Sequence, residues 1–359
     1  MIVIGIVLAA LPIVIGTTFG NSWVRAVNFA LLYTMLALGL NIVVGYAGLL
    51  DLGYIAFYAV GAYSYSLLAS PHFGLHLPIW LLIPCGALVA CIFGVLLGAP
   101  TLKLRGDYLA IVTLGFGEII RLFMNNLDRP INITNGPQGI NNVDPIQLAG
   151  FSLSKPVDLG FMTLQSTYLY YYLFLLMALG IIVVSIRLQD SRIGRAWVAI
   201  REDEIAATAM GINTRNVKLL AFAMGASFGG VSGGLFAGFQ GFVSPESFTL
   251  MESIMVLSMV VLGGMGHIPG VVLGAVMLSV TPEVLRDVAN MLKSSEGRPL
   301  VDPENLRMLL FGVAMVAIML FRPAGLWPSS RRRAELKPAT PTIQKQEDSN
   351  LQDAEREHD

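Results

Sequence analysis

Long apolar runs separated by short polar breaks set the pattern of this chain. A bilayer core of about 30 Å needs roughly 20 apolar residues per helix. Read at that length, the pattern predicts membrane spans near 2–19, 26–45, 53–70, 77–98, 108–126, 166–186, 217–240, 250–265, 268–290 and 305–321. The expected fold is therefore all-α: a polytopic transmembrane bundle of about ten spans. The stretch GYAGLLDLG (45–53) reads as a break within the membrane region rather than a loop. Two stretches do not read as membrane. Residues 127–165 are rich in Asn, Pro and Gly and are expected to form an ordered outward loop or cap. Residues 329–359 are charged and polar without periodicity, which predicts a disordered tail. The organisation is thus one membrane domain, 1–328, with an outward loop at 127–165 and a charged loop at 187–216, followed by the tail.

Lys and Arg in short connections orient such a bundle. Arg187, Arg192, Arg195, Arg201, Arg215 and Lys218 crowd one connection, Lys103 and Arg105 another, and Arg331, Arg332 and Arg333 follow the last span. Connections 71–77 and 241–249 contain neither residue. Strict alternation then places both termini in the cytoplasm. Lys293 and Arg298, in connection 291–304, go against this scheme. The N-terminal run has no positive n-region and no A-x-A site, so it reads as a retained span.

Composition excludes the water-soluble classes. Only 13% of the 359 residues are charged and 55% are hydrophobic, with a mean hydropathy of +0.67. Soluble domains are about 25% charged. Cys85 and Cys91 share one apolar segment at a spacing that suits neither a metal nor a disulfide framework. His72, His76, His267 and His358 are too scattered for a metal site. No G-x-x-x-x-G-K-[ST] loop is present, so ATP is not bound by that route. The chain is expected to be neither an enzyme nor a cofactor carrier, with no metal and no nucleic acid.

The most informative stretch is RLQDSRIGRAWVAIREDEIAATAMGINTRNVK (187–218). Its centre reads as a short amphipathic helix over 196–210. Ala196, Ile200, Ile205, Ala207 and Met210 form the apolar stripe, and Arg201, Glu202, Asp203 and Glu204 the polar side. Gly211 stands where a C-cap is expected. Docking into a groove on a soluble partner and lying on the membrane surface explain this helix equally well.

Several other residues are candidates. Glu118 and Arg121 share a face of the fifth span. An intramembrane pair is a functional candidate, although a structural pair near the membrane edge is the favoured reading. Glu252 is the third intramembrane ionisable residue that an ion-gradient transporter would need. Ser244, Pro245, Glu246 and Ser247 form either a contact for an outside partner or a capped turn. Gly225, Gly229 and Gly233 recur every fourth residue, which makes a face for close helix packing or for a pathway. Gly45, Gly48 and Gly53 around Asp51 mark a broken helix, tolerable only beside a cavity or protein.

Residues Glu204, Ala206, Ala207 and Gly211 resemble the cytoplasmic coupling loop of ABC importer permeases, written in those families as EAA…G. Together with the stretches 45–63, 104–121, 194–212, 240–254 and 260–270, the chain resembles the branched-chain amino acid permease family, specifically its M-type subunit. His267, Ile268 and Pro269 depart from the usual Gly-Ser turn, and the chain beyond Trp327 shows no likeness. The resemblance implies a bacterial inner-membrane importer for leucine, isoleucine and valine. Its other parts would be a second, related permease, two cytoplasmic ATP-binding subunits and a periplasmic amino-acid-binding protein. It implies ATPase coupling through Arg195, Arg201, Glu202, Glu204, Ala207 and Gly211. Urea and short-chain amide importers have similar permeases and remain one alternative; a secondary transporter driven by an ion gradient is the other.

Overall fold

The computed structural model describes residues 2–291 except 102–103, 105, 130–131, 149–150 and 159–162, and further on 309, 312, 313, 316, 320 and 327. The described residues are overwhelmingly helical. The helices are α1 (Ile2–Thr18), α2 (Asn21–Leu40), α3 (Ile55–Leu68), α4 (Ile79–Thr101), α5 (Asp107–Asn126), α6 (Ser166–Asp190), α7 (Arg192–Glu202), α8 (Glu204–Ala209), α9 (Thr214–Gln240), α10 (Leu250–Gly263) and α11 (Ile268–Met291).

Six of these are long and apolar enough to cross a membrane, counting the π-helical turn Asn41–Tyr46 as the end of α2 and the 3-10 turn Pro245–Ser247 as the start of α10. Helices also occupy three further predicted positions, but they fall short of that test. The described apolar part of α1 is short, and so is α3 at 14 residues. α5 carries Asp107, Glu118 and Arg121. The predicted tenth span, the 291–304 connection and the tail lie outside the described residues apart from the few positions named above. Ten spans are therefore not confirmed; an all-α polytopic fold is.

α9 is the central post. Its glycines let three neighbours approach backbone to backbone. A Cβ on Gly225 would sit 2.6 Å from Val43 and 3.0 Å from the Gly39 carbonyl of α2. On Gly233 it would land on the Tyr58 carbonyl of α3, and on Gly230 it would sit 2.6 Å from Ala90 and the Gly86 carbonyl of α4. The four-residue period of Gly225, Gly229 and Gly233 thus serves internal packing. α3 runs parallel to α9 and α4 antiparallel to it. Cys85 and Cys91 are free and half-buried on α4.

The 127–165 stretch is ordered where it is described. It contains a 3-10 turn at Gly136–Gln138, and the strands β1 (Gln147–Leu148) and β2 (Phe151–Ser152) form one hairpin. β3 (Val157–Asp158) and β4 (Thr163–Leu164) form a second. This cap is tied to the bundle by the Ile140–Val243 bridge and by His76 Nδ1 to Asp144 Oδ2 at 2.5 Å.

The charged loop forms two helices where one was expected. Asp203 ends α7 and caps α8, accepting the Ile205 and Ala206 amides at 2.8 and 3.0 Å. A short carboxylate inside a helical run competes for backbone N–H groups, and here it wins. The break resets the helical phase and splits the predicted apolar stripe. Ile200 and Ala207 are buried, whereas Ile205 is 72% and Met210 84% exposed.

Candidate transmission line and broken span

The loop is built to be rigid. Ser191 caps α7 by accepting the Gly194 amide at 3.1 Å. Trp197 is fully buried and donates Nε1 to the Val217 carbonyl at 2.7 Å. Lys218, almost fully buried at the start of α9, meets Glu204 at 2.5 Å. Gly211 closes α8 at φ 84°, and Ile212 N–H returns to the Ala207 carbonyl at 3.1 Å. Arg195 donates to the Asp190 carbonyl at 2.7 Å, and Glu202 is exposed. Of the six coupling candidates, Arg201, Glu204 and Ala207 therefore face the bundle.

Arg201 is the link between loop and membrane domain. Its Nη1 donates to the Gly45 carbonyl at 2.5 Å, inside the π-helical turn that ends α2. That turn leaves carbonyls free of the regular ladder, and Arg201 takes one. Gly48, at φ 69°, lies against the Arg201 side chain; a Cβ there would sit 2.7 Å from Arg201 Cγ. Asn41 Oδ1 accepts the Gly266 amide at 2.8 Å, which pins the α10–α11 turn to the same place.

From this point the chain does not leave the bundle. Residues 47–53 run back, non-helical, until Tyr54 Oη donates to the Gly225 carbonyl halfway along α9 at 2.7 Å. α3 begins only there, which is why it is short. The irregular backbone is satisfied by protein, as it must be at this depth. Leu52 N–H donates to Thr113 Oγ1 at 3.0 Å, Gly53 N–H to Asp51 Oδ1 at 2.9 Å, and Ile55 N–H to Ser253 Oγ at 3.2 Å. Gly53 fits against the Thr113 carbonyl, and Gly117 faces Gly53. Asp51 is buried, and its Oδ2 has no partner among the described residues.

The same side continues outward. Arg121 pairs with Glu118 at 2.5 Å on α5 and reaches Glu246 at 3.3 Å in the turn before α10. Pro245 and Ser244 are buried against the cap, where Gly139 meets Val243 and Ser244. Residues predicted separately thus converge. Arg201, Gly45, Gly48, Asp51, Gly53, Glu118, Arg121 and Glu246 follow one side of the bundle from loop to cap. Gly225, Gly229 and Gly233 stand behind it. Glu252 accepts from Tyr33 Oη at 2.8 Å on another side of α10. Sequence reading missed Asn41, Thr113 and Ser253. Each is a buried polar residue within an apolar run, and that was the available signal.

A helical membrane protein with a rigid charged loop wired to a broken span is a transport permease by architecture. Residues 22–319 match the family described as the permease component of the branched-chain amino acid transport system, and the chain belongs to that family. It is 44% identical over 324 residues to the high-affinity branched-chain amino acid transport system permease protein LivM of Escherichia coli, covering 86% of this chain and 71% of that protein. The probable LivM of Methanocaldococcus jannaschii is 29% identical over 76% of this chain and 74% of its own length. LivH of Salmonella typhimurium is 26% identical over 69% of this chain and 80% of its own. No solved structure matches the chain.

Proposed function

We propose that this chain forms one half of the membrane pathway of an ATP-driven importer for leucine, isoleucine and valine. The observation that carries the mechanism is the Arg201–Gly45 hydrogen bond, which connects the loop to the broken span. In this reading one of two ATP-binding subunits docks on α7 and α8 from the cytoplasm, and the other docks on the second permease. Ile205 and Met210, both exposed, supply the docking contact, and Arg195 and Glu202 flank it. Closure of the ATPases moves α7. Arg201 carries the motion to the end of α2, and segment 47–53 shifts against α5 and α10. The charged loop with α7 and α8 faces the cytoplasm, the cap faces the periplasm, and the described part of α1 runs so that its N-terminal end lies on the cytoplasmic side. A second, related permease completes the pathway, as the kinship to both LivM and LivH proteins supports. A loaded binding protein engages the turn at Ser244, Pro245 and Glu246, and it stimulates transport only by favouring one state over the other.

The test is uptake by proteoliposomes holding the assembled transporter with its binding protein. Leucine, isoleucine and valine are expected to enter only with ATP inside. Uptake of urea or short amides alone would overturn the substrate assignment. Uptake driven by a proton or sodium gradient without ATP would overturn the coupling.

A further inference from the structure

α3 starts inside the bundle, and α10 starts just after the outward turn Pro245–Ser247. Neither N-cap residue, Tyr54 or Thr249, makes a side-chain cap bond. Between their first turns lies a cavity of about 200 Å³, lined by Leu52, Ile55, Leu114, Phe248 and Leu250 with Gly117, Glu118 and Ser253. A cavity of that size and largely apolar lining holds several waters poorly and one branched aliphatic side chain well. Its polar side chains are few, Glu118 from α5 and Ser253 from α10. Ser253 is only 2% exposed. Its Oγ accepts the Ile55 amide, and its own proton has no acceptor among the described residues. A buried hydroxyl donor in the cavity wall, beside the start of α10, is complementary to a carboxylate. Glu118 stands on the α5 side and is complementary to an ammonium group. Arg121 donates to both of its oxygens, and each oxygen keeps a further lone pair that can accept from the ammonium.

We propose that this cavity is a transient site for the zwitterionic amino acid within this chain. The Ser253 hydroxyl and the first turn of α10 receive the carboxylate, and Glu118 receives the ammonium. Leu52, Ile55, Leu114 and Phe248 enclose the branched side chain. The site deepens the branched-chain reading and rests on it. It also sits where segment 47–53 ends, so movement of that segment opens and closes one wall. Arg121 joins Glu118 to Glu246, which ties the site to the outward turn as well.

The test uses the assembled transporter in proteoliposomes with saturating loaded binding protein, so that capture does not limit the rate. Leu114→Trp, which fills the cavity, is expected to lower leucine uptake at least tenfold while the loaded binding protein still stimulates ATP hydrolysis. Ser253→Ala is expected to lower the maximal rate about tenfold, the low end for a hydrogen bond to a charged group, and to leave the half-saturating leucine concentration unchanged. Leu114→Val is expected to change the ratio of leucine to valine rates, which a merely structural role would not move. If Leu114→Trp does not assemble, the other two variants decide. Wild-type rates and ratios in Ser253→Ala and Leu114→Val would overturn the site while leaving the importer reading intact. A wild-type transporter that moves no branched-chain amino acid would overturn both.

Discussion

Replacing Arg201 with alanine removes the one hydrogen bond among the described residues that joins α7 to the end of α2. The bond runs from a guanidinium to the Gly45 carbonyl at 2.5 Å. Hydrogen bonds from charged groups contribute about 1.5–3 kcal/mol. Arg201 is an exposed residue, so the low end, about 1.5 kcal/mol, applies. That energy is the most this contact can contribute to coupling, and it corresponds to about a tenfold change in an equilibrium constant. Arg201→Ala should therefore lower leucine moved per ATP hydrolysed about tenfold. The fold should survive, because Trp197, Ser191 and Lys218 hold the loop independently of Arg201. The assay is uptake and phosphate release measured on the same proteoliposomes, with co-purification of the ATPase subunits as the control for docking. Unchanged stoichiometry with intact assembly would refute the transmission role. Loss of assembly would show that Arg201 serves docking instead.

Lys218→Met should destabilise the solubilised chain by about 2–3 kcal/mol, because it removes the buried ammonium that faces Glu204, and adding Glu204→Gln should recover most of it; thermal unfolding followed by tryptophan fluorescence measures both. Gly233→Ala should cost about 1–3 kcal/mol, since the new methyl group meets the Tyr58 carbonyl, whereas Gly180→Ala, with nothing within 4 Å, should be neutral or stabilising by about 0.5–1 kcal/mol. Comparing their melting curves tests whether the glycine face of α9 is a packing surface. Ile205→Asp with Met210→Asp should abolish co-purification of the ATPase subunits without moving the melting temperature, since both side chains are largely exposed.

Much of the fold was legible from apolar run lengths alone, because a membrane helix is specified by length and hydropathy. The break at 45–53 was legible too: Gly45, Gly48 and Gly53 around Asp51 cannot make a lipid-facing helix. What could not be read was where that break leads. Its return to the middle of α9 depends on Thr113, Ser253 and Gly225, which lie far away in sequence. The split of the charged loop was hidden for a different reason. Asp203 fits the polar face of one helix as well as the cap of a second, and only its bonds to the Ile205 and Ala206 amides decide. Arg201 and Glu204 looked solvated because a helical wheel cannot show α2 or α9 above the loop. The convergence of Glu118, Arg121 and Glu246 joins residues from two separate stretches, so no single motif announces it.

Amide hydrogen exchange over residues 45–54, measured in the assembled transporter with and without ATP, tests most directly whether motion passes from the loop into the broken span. The expected result is a change at 45–54 that accompanies the change at 192–211, with Arg201→Ala removing the first and sparing the second. A segment 45–54 that is indifferent to ATP, or that responds equally in Arg201→Ala, would contradict the account.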